Sequence, residues 1–213
     1  MRAVVFDLWE TLVPMFPAED GERSYAAMAA RLGANEPAFV ELWRARREFR
    51  ETRPLAEAVR SLCEELSLDT ADIDGAIAVR REFTRAALVA RPGALEVLRE
   101  LRRRGHRVGL ITVCTEDVEE LWPETPMAEL VDAPVFSCSA GVNKPDPRIY
   151  ALACERLGVE PADCLYVGDG NNDELRGAER AGMRAVQLRL PEHGPRDWDG
   201  ARVESLEQVL ELV

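Results

Sequence analysis

Lysine is almost missing from this chain of 213 residues: 27 positions are Lys or Arg, and Lys144 is the one lysine among them. Positive charge is short overall, because 39 Asp and Glu leave a formal net charge of −12. A surface this acidic repels phosphate backbones and anionic membranes, which excludes a nucleic-acid-binding or polybasic role. Aromatic residues make up 6% of the chain, and His106 and His193 are the only histidines, too few for a His-rich metal site or a Ser-His centre. The five cysteines (Cys63, Cys114, Cys138, Cys154 and Cys164) are scattered with no CxxC pair, so neither a disulfide framework nor a thiolate zinc site is indicated. No apolar run approaches the ~18 residues of a membrane span, and the run before Asp7 is too short for a signal peptide. A soluble, cytoplasmic protein is expected. No Walker loop or GxGxxG fingerprint follows that first run, which removes NTPase and dinucleotide-binding readings.

What is present is a core's worth of apolar residues, 46% of the chain. Short apolar runs at 3–8, 108–113, 134–138, 164–167 and 185–188 are separated by helical patterns. Strands buried on both faces read as continuous apolar runs, so the chain is expected to be α/β, with a Rossmann-like doubly wound parallel sheet. Leu95, Leu98 and Leu101 give one crossover stripe closed by Gly105; Ile149, Leu152, Ala153 and Leu157 give another closed by Gly158. Residues 15–88 break the alternation with amphipathic segments at 24–32, 36–51 and 55–66, and are expected to be an inserted all-α domain. Residues 1–14 and 89–213 then make the α/β core domain, ending in a docking helix over 203–212.

In open α/β sheets, ligands bind outside the carboxyl ends of the strands. Asp7 stands there after the first run, Thr112 at the end of the second, and Asp169 with Asp173 after the fourth. Lys144 lies in the loop after the third. Carboxylates converging with an ammonium are costly if unpaired, whereas a divalent cation with oxygen ligands and a bound phosphate satisfies them.

The segments FDLWETL, LITVCT, GVNKPDPRIY and YVGDGNND, in that order, resemble the four motifs of the haloacid dehalogenase (HAD) superfamily of aspartate-nucleophile hydrolases. The resemblance implies that Asp7 is the nucleophile, forming an aspartyl-phosphate intermediate. It implies that Thr112 and Lys144 are the hydroxyl and cation that position the phosphoryl group. Mg²⁺ would be held by Asp7, Asp169, Asp173 and the backbone carbonyl of Trp9, and residues 15–88 would form a mobile cap that excludes water. The substrate implied is a small anionic, phosphorylated metabolite; nothing in the sequence sets the oligomeric state.

Phosphatases of this superfamily carry DxDxT, and the second Asp handles the leaving-group proton. Here that position is Trp9, whose indole shuttles no proton at neutral pH. Atypical proton handling is expected, with Glu10 a weaker candidate donor because neighbours on an extended segment point oppositely. Two alternatives remain open. An aromatic at this position resembles the 2-haloacid dehalogenases, in which Asp7 would attack carbon without a metal. A regulatory member that binds metal and phosphate but turns over weakly is the other. Imine chemistry is excluded, since residues 15–88 hold no lysine. Candidate substrate contacts are Trp9, Val113 and Arg47, the last sharing a helical face with Phe39, Trp43 and Arg50; Arg46 competes for the same anion-binding role.

Overall fold

A computed structural model describes residues 2–68 and 72–213. It contains a parallel sheet of six strands in the order β3-β2-β1-β4-β5-β6. These are β1 (Ala3–Phe6), β2 (Arg107–Thr112), β3 (Ala133–Phe136), β4 (Cys164–Gly168), β5 (Arg184–Leu188) and β6 (Arg202–Val203). The first five fall on the five apolar runs. Alternate side chains of β1 feed two separate cores: Val4 and Phe6 pack on one face, Ala3 and Val5 on the other. The first face is covered by α6 (Ala94–Arg103) through Val97, Leu98 and Leu101. The second is covered by α9 (Pro147–Leu157) through Ile149, Ala153 and Leu157. Gly109 permits this close packing, since a Cβ there would meet Leu157 Cδ1 at 2.9 Å and Val5 Cγ2 at 3.2 Å.

Among the described residues, five helices lie between β1 and α6: α1 (Ala18–Leu32), α2 (Glu36–Ala45), α3 (Arg47–Glu51), α4 (Leu55–Glu65) and α5 (Ile73–Ala87). Their apolar faces form a third core, with Phe39 and Trp43 of α2 meeting Met28, Leu62 and Ile77. The single helix expected over 36–51 is broken. Arg46 adopts φ −91° and ψ 26° at the junction of α2 and α3, and the Arg50 guanidinium turns back to donate to the Trp43 carbonyl at 3.1 Å. Helix α1 also begins before residue 24, and α5 joins the helices anticipated from the sequence.

The tail departs from expectation. Instead of a helix over 203–212, Arg202 and Val203 add β6 beside β5, and a 3₁₀ turn follows at Glu207–Glu211. The buried positions Val203, Leu206 and Val209 are three apart, a period that suits 3₁₀ geometry, where side chains three apart align, better than an α-helix. All five cysteines are free and buried. No helix among the described residues is long and apolar enough to cross a membrane.

Candidate active site

Strand order reverses direction at β1, with β2 on one side and β4 on the other, and a crevice opens at such a switch point. Asp7 follows β1 and Asp169 follows β4, so topology brings the two carboxylates side by side. Both are buried, at 5% and 1% exposure. Lys144 reaches in from the loop between α8 (Ser137–Ala140) and α9. Its Nζ donates to Asp7 Oδ1 at 2.5 Å, Glu174 Oε2 at 2.5 Å and Tyr166 Oη at 3.0 Å. All three N–H donors of the tetrahedral ammonium are used.

Glu174 is the residue that sequence reasoning missed. It opens α10 (Glu174–Arg180); its Oε2 accepts from Tyr166 Oη at 2.7 Å and its Oε1 from the Gly170 amide at 3.0 Å. Gly168 makes room for it, because a Cβ there would lie 2.2 Å from Glu174 Oε1. The expected partner Asp173 is not brought to the cluster. Asn172 and Asp173 both take left-handed φ values, 53° and 56°, which turn the Asp173 side chain outward. There it pairs with Arg180 at 2.9 Å and Arg176 at 3.6 Å. Asn and Asp tolerate this conformation better than other non-glycine residues, and two in succession shift by one position which acid faces inward.

One carboxylate oxygen from each of Asp7, Asp169 and Glu174 lies within 4.8 Å of the others. Burial, reinforced by the charges of Glu174 and Asp169 and opposed by Lys144, pushes the Asp7 carboxyl up to about 8. Burial and then Asp169 also raise Glu174, against Lys144 and Tyr166. For Lys144, burial opposes the charge but is outweighed by Asp7 and Glu174, so the ammonium is held above the usual lysine range.

Arg196, in the irregular segment after β5, completes the floor. Its Nε and Nη2 each lie 3.2 Å from Asp169 Oδ2, and Nη2 lies 3.3 Å from Glu10 Oε2. Glu10 is therefore not an exposed residue on an extended segment. Its φ of 60° breaks the alternation expected there and brings its side chain to the cavity. Four carboxylates thus face two cations, Lys144 and Arg196. With all four ionised, as a bound metal would require, the acids exceed the cations by two negative charges on clustered hard oxygen donors, which fits one divalent cation such as Mg²⁺.

A cavity of about 290 Å³ lies over this floor. Trp9, Val113 and Arg47, the expected substrate contacts, all line it. Trp9 meets Phe16 edge-on at 5.6 Å, and Phe16 meets Phe83 of α5 at 4.8 Å, so an aromatic chain links the sheet to the helical insertion. Arg47 is 54% exposed and held by Glu51 at 2.9 Å; Arg50 and Arg80 present more deeply buried guanidinium groups to the same cavity. Arg46 instead pairs with Glu65. Thr112 is fully buried at the end of β2, and its Oγ1 has no hydrogen-bond partner among the described residues.

Comparison with known proteins identifies the family. Residues 1–182 match the haloacid dehalogenase-like hydrolase family. Glyceraldehyde 3-phosphate phosphatase of Methanopyrus kandleri is 29% identical over 199 residues, covering 89% of this chain and 84% of that protein. (S)-2-haloacid dehalogenase 4A of Burkholderia cepacia is 29% identical over 201 residues, covering 88% of this chain and 83% of that protein. The structure of a 2-haloacid dehalogenase from Pseudomonas syringae superposes with a TM-score of 0.76 over 100% of this chain and 97% of that one; at 24% identity this speaks to the fold alone. With its parallel sheet and a family match over most of its length, this chain belongs to the haloacid dehalogenase-like hydrolases.

Proposed function

We propose that this hydrolase is a Mg²⁺-dependent phosphatase acting on a small phosphorylated metabolite, with Asp7 as nucleophile. The observation that carries the reading is the convergence of Asp7, Asp169 and Glu174 within 4.8 Å. With only Lys144 and Arg196 to offset them, the ionised acids of the floor would repel an anionic substrate. Asp7, Asp169 and Glu174 would hold Mg²⁺, which supplies charge neutralisation at the transferring phosphoryl oxygens. The backbone carbonyl of Trp9 is a further candidate ligand.

Asp7 attacks phosphorus, its carboxylate oxygen forming a bond as the ester P–O bond breaks, and an aspartyl phosphate results. Lys144, fixed by Tyr166 and Glu174, offsets charge on Asp7 and on the phosphoryl group. Thr112, fully buried and outside the cavity lining, has an unpartnered hydroxyl that would donate to a phosphoryl oxygen bound over Asp7. Residues 15–88 serve as a cap over the core of 1–14 and 89–213, excluding bulk water from the transfer step; one water admitted after the leaving group departs attacks phosphorus, the bond between phosphorus and the Asp7 oxygen breaks, and phosphate and the Asp7 carboxylate result. Trp9 leaves the leaving-group proton without a carboxyl at the usual position, so turnover depends on how much the leaving group needs it.

The test is phosphate release from a panel of phosphorylated metabolites, with and without Mg²⁺, with Asp7→Asn as control. Mg²⁺- and Asp7-dependent release is expected. No Asp7-dependent release from any substrate would remove the reading, and halide release from a 2-haloacid in the presence of chelator would put attack on carbon in its place.

A further inference from the structure

The wall of the cavity formed by α3 and α5 concentrates positive charge apart from the acidic floor. Arg50 and Arg80 both line the cavity that Asp7 and Lys144 floor. Their side chains are only 13% and 10% exposed. Arg50 is fixed by its bond to the Trp43 carbonyl, 3.1 Å, and by lying 5.0 Å from the Trp43 ring. Its acidic neighbour Glu51 is 3.9 Å away and already holds Arg47.

Arg80 sits over the Phe83 ring at 4.9 Å. Its Nε approaches Asp117 Oδ2 to 3.2 Å, but neither Nε nor Nη1 has a well-formed hydrogen bond among the described residues. Asp117 Oδ2 is engaged by the Thr84 hydroxyl. Arg47, Arg50 and Arg80 thus share Glu51 and Asp117 on this wall, while the surplus carboxylates of the cavity, Asp7, Glu10, Asp169 and Glu174, lie on its floor. Burial, opposed by Glu51 and aided to a smaller extent by the charge of Arg80, draws the Arg50 guanidinium below its usual range. Two guanidinium groups on separate helices, buried in one cavity opposite a nucleophilic carboxylate, call for an anion between them, because a buried charge is stable only when paired.

We infer that Arg50 and Arg80 form a second anion subsite, opposite Asp7 and Lys144, and that the substrate carries a carboxylate or a second phosphate at the end remote from the phosphoryl group under attack. The guanidinium fork suits both oxyanions. A cavity of about 290 Å³, at the small end of ligand sites, restricts the substrate to a short chain. Arg47, mostly exposed and committed to Glu51, stands at the rim of this subsite. The substrate class rests on the phosphatase reading above, whereas the subsite itself is independent of turnover.

The two can be separated with phosphonates, whose C–P bond is not hydrolysed. Calorimetric titration of the full chain with saturating Mg²⁺ would compare propylphosphonate, 3-phosphonopropionate and propane-1,3-bisphosphonate. The ligands with a second anionic end are expected to bind about tenfold or more tighter than propylphosphonate, and the tighter of the two identifies the second group. Arg50→Gln should bring the affinity ratio toward one. Arg80→Lys keeps the charge facing Asp117 but loses the fork, and should lower the ratio in part. Equal affinities in the wild type, no binding of any of the three, or a preference that survives in both variants would overturn the subsite. A preserved preference without Asp7-dependent phosphate release would instead remove the phosphatase reading and leave the subsite standing.

Discussion

Arg196 holds Asp169 by one oxygen, with Nε and Nη2 both 3.2 Å from Oδ2. Arg196 lies beyond the residues 1–182 that match the family, so this contact to a family-motif acid comes from outside the matched stretch. A guanidinium beside a metal-binding carboxylate repels the incoming cation, and at an effective dielectric near 20 such repulsion amounts to several kcal/mol at short range. Arg196→Gln is therefore expected to raise divalent-cation affinity by about tenfold or more, measured as the free Mn²⁺ signal in electron paramagnetic resonance. A fall in affinity would show instead that Arg196 orients Asp169 for the metal.

Lys144 is enclosed by the groups it bonds. Its Nζ is packed between Asp7, Glu174 and Tyr166 at 2.5–3.0 Å, with the side chain 4% exposed. Arginine keeps the charge but places a planar fork in a site built around three donors from one nitrogen. Overpacking of this kind costs about 1–3 kcal/mol, so Lys144→Arg should lower Tm by several degrees. Displacement of Asp7 should lower kcat/KM by at least about 100-fold. A fully active arginine variant would remove any special role for the lone lysine.

The parts legible in the sequence are those that topology controls. Buried parallel strands must be continuous apolar runs, so β1 to β5 could be read directly, and Asp7, Thr112 and Asp169 follow because they close three of those runs. The choice between Asp173 and Glu174 was not legible, since it depends on the left-handed turns at Asn172 and Asp173, which adjacent acids do not announce. Arg196 lies in a segment without periodicity, and Arg80 faces the cavity only because α5 packs against α1 and α7 (Glu116–Leu121). The break at Arg46 was equally hidden, because an apolar stripe continues across it while the backbone does not.

Asp7 makes the metal-free protein sensitive to pH in an unusual direction. Its carboxyl titrates at about 8 in the folded chain, against an ordinary value of 3.8. Between those values the folded state retains a proton that the unfolded state has released, so this group's contribution to stability falls as pH rises through the window. Asp7→Asn lacks the effect. In chelator, the variant's unfolding midpoint should gain on the wild type from about pH 5 to about pH 8. Added Mg²⁺ should reverse the order, because the proposed ligation by Asp7 would stabilise the folded wild type selectively. A gap between the two proteins that does not change with pH would contradict the raised carboxyl.

Trp9 makes a prediction about leaving groups. A positioned acid at the usual second-Asp position contributes about 10²–10⁴-fold when the departing oxygen needs a proton, and the indole here contributes none. Aryl and acyl phosphates, whose leaving groups depart as stable anions, should therefore exceed alkyl phosphates in kcat/KM by a ratio within about that range. Trp9→Asp should raise the alkyl rate more than the aryl rate and narrow the ratio, even though it removes the edge-on contact with Phe16 at 5.6 Å. A general loss of cavity shape would lower both rates together, which is how the two effects are told apart. Equal wild-type rates on alkyl and aryl substrates would mean that another group, with Glu10 the nearest carboxyl in sequence, supplies the proton that Trp9 cannot.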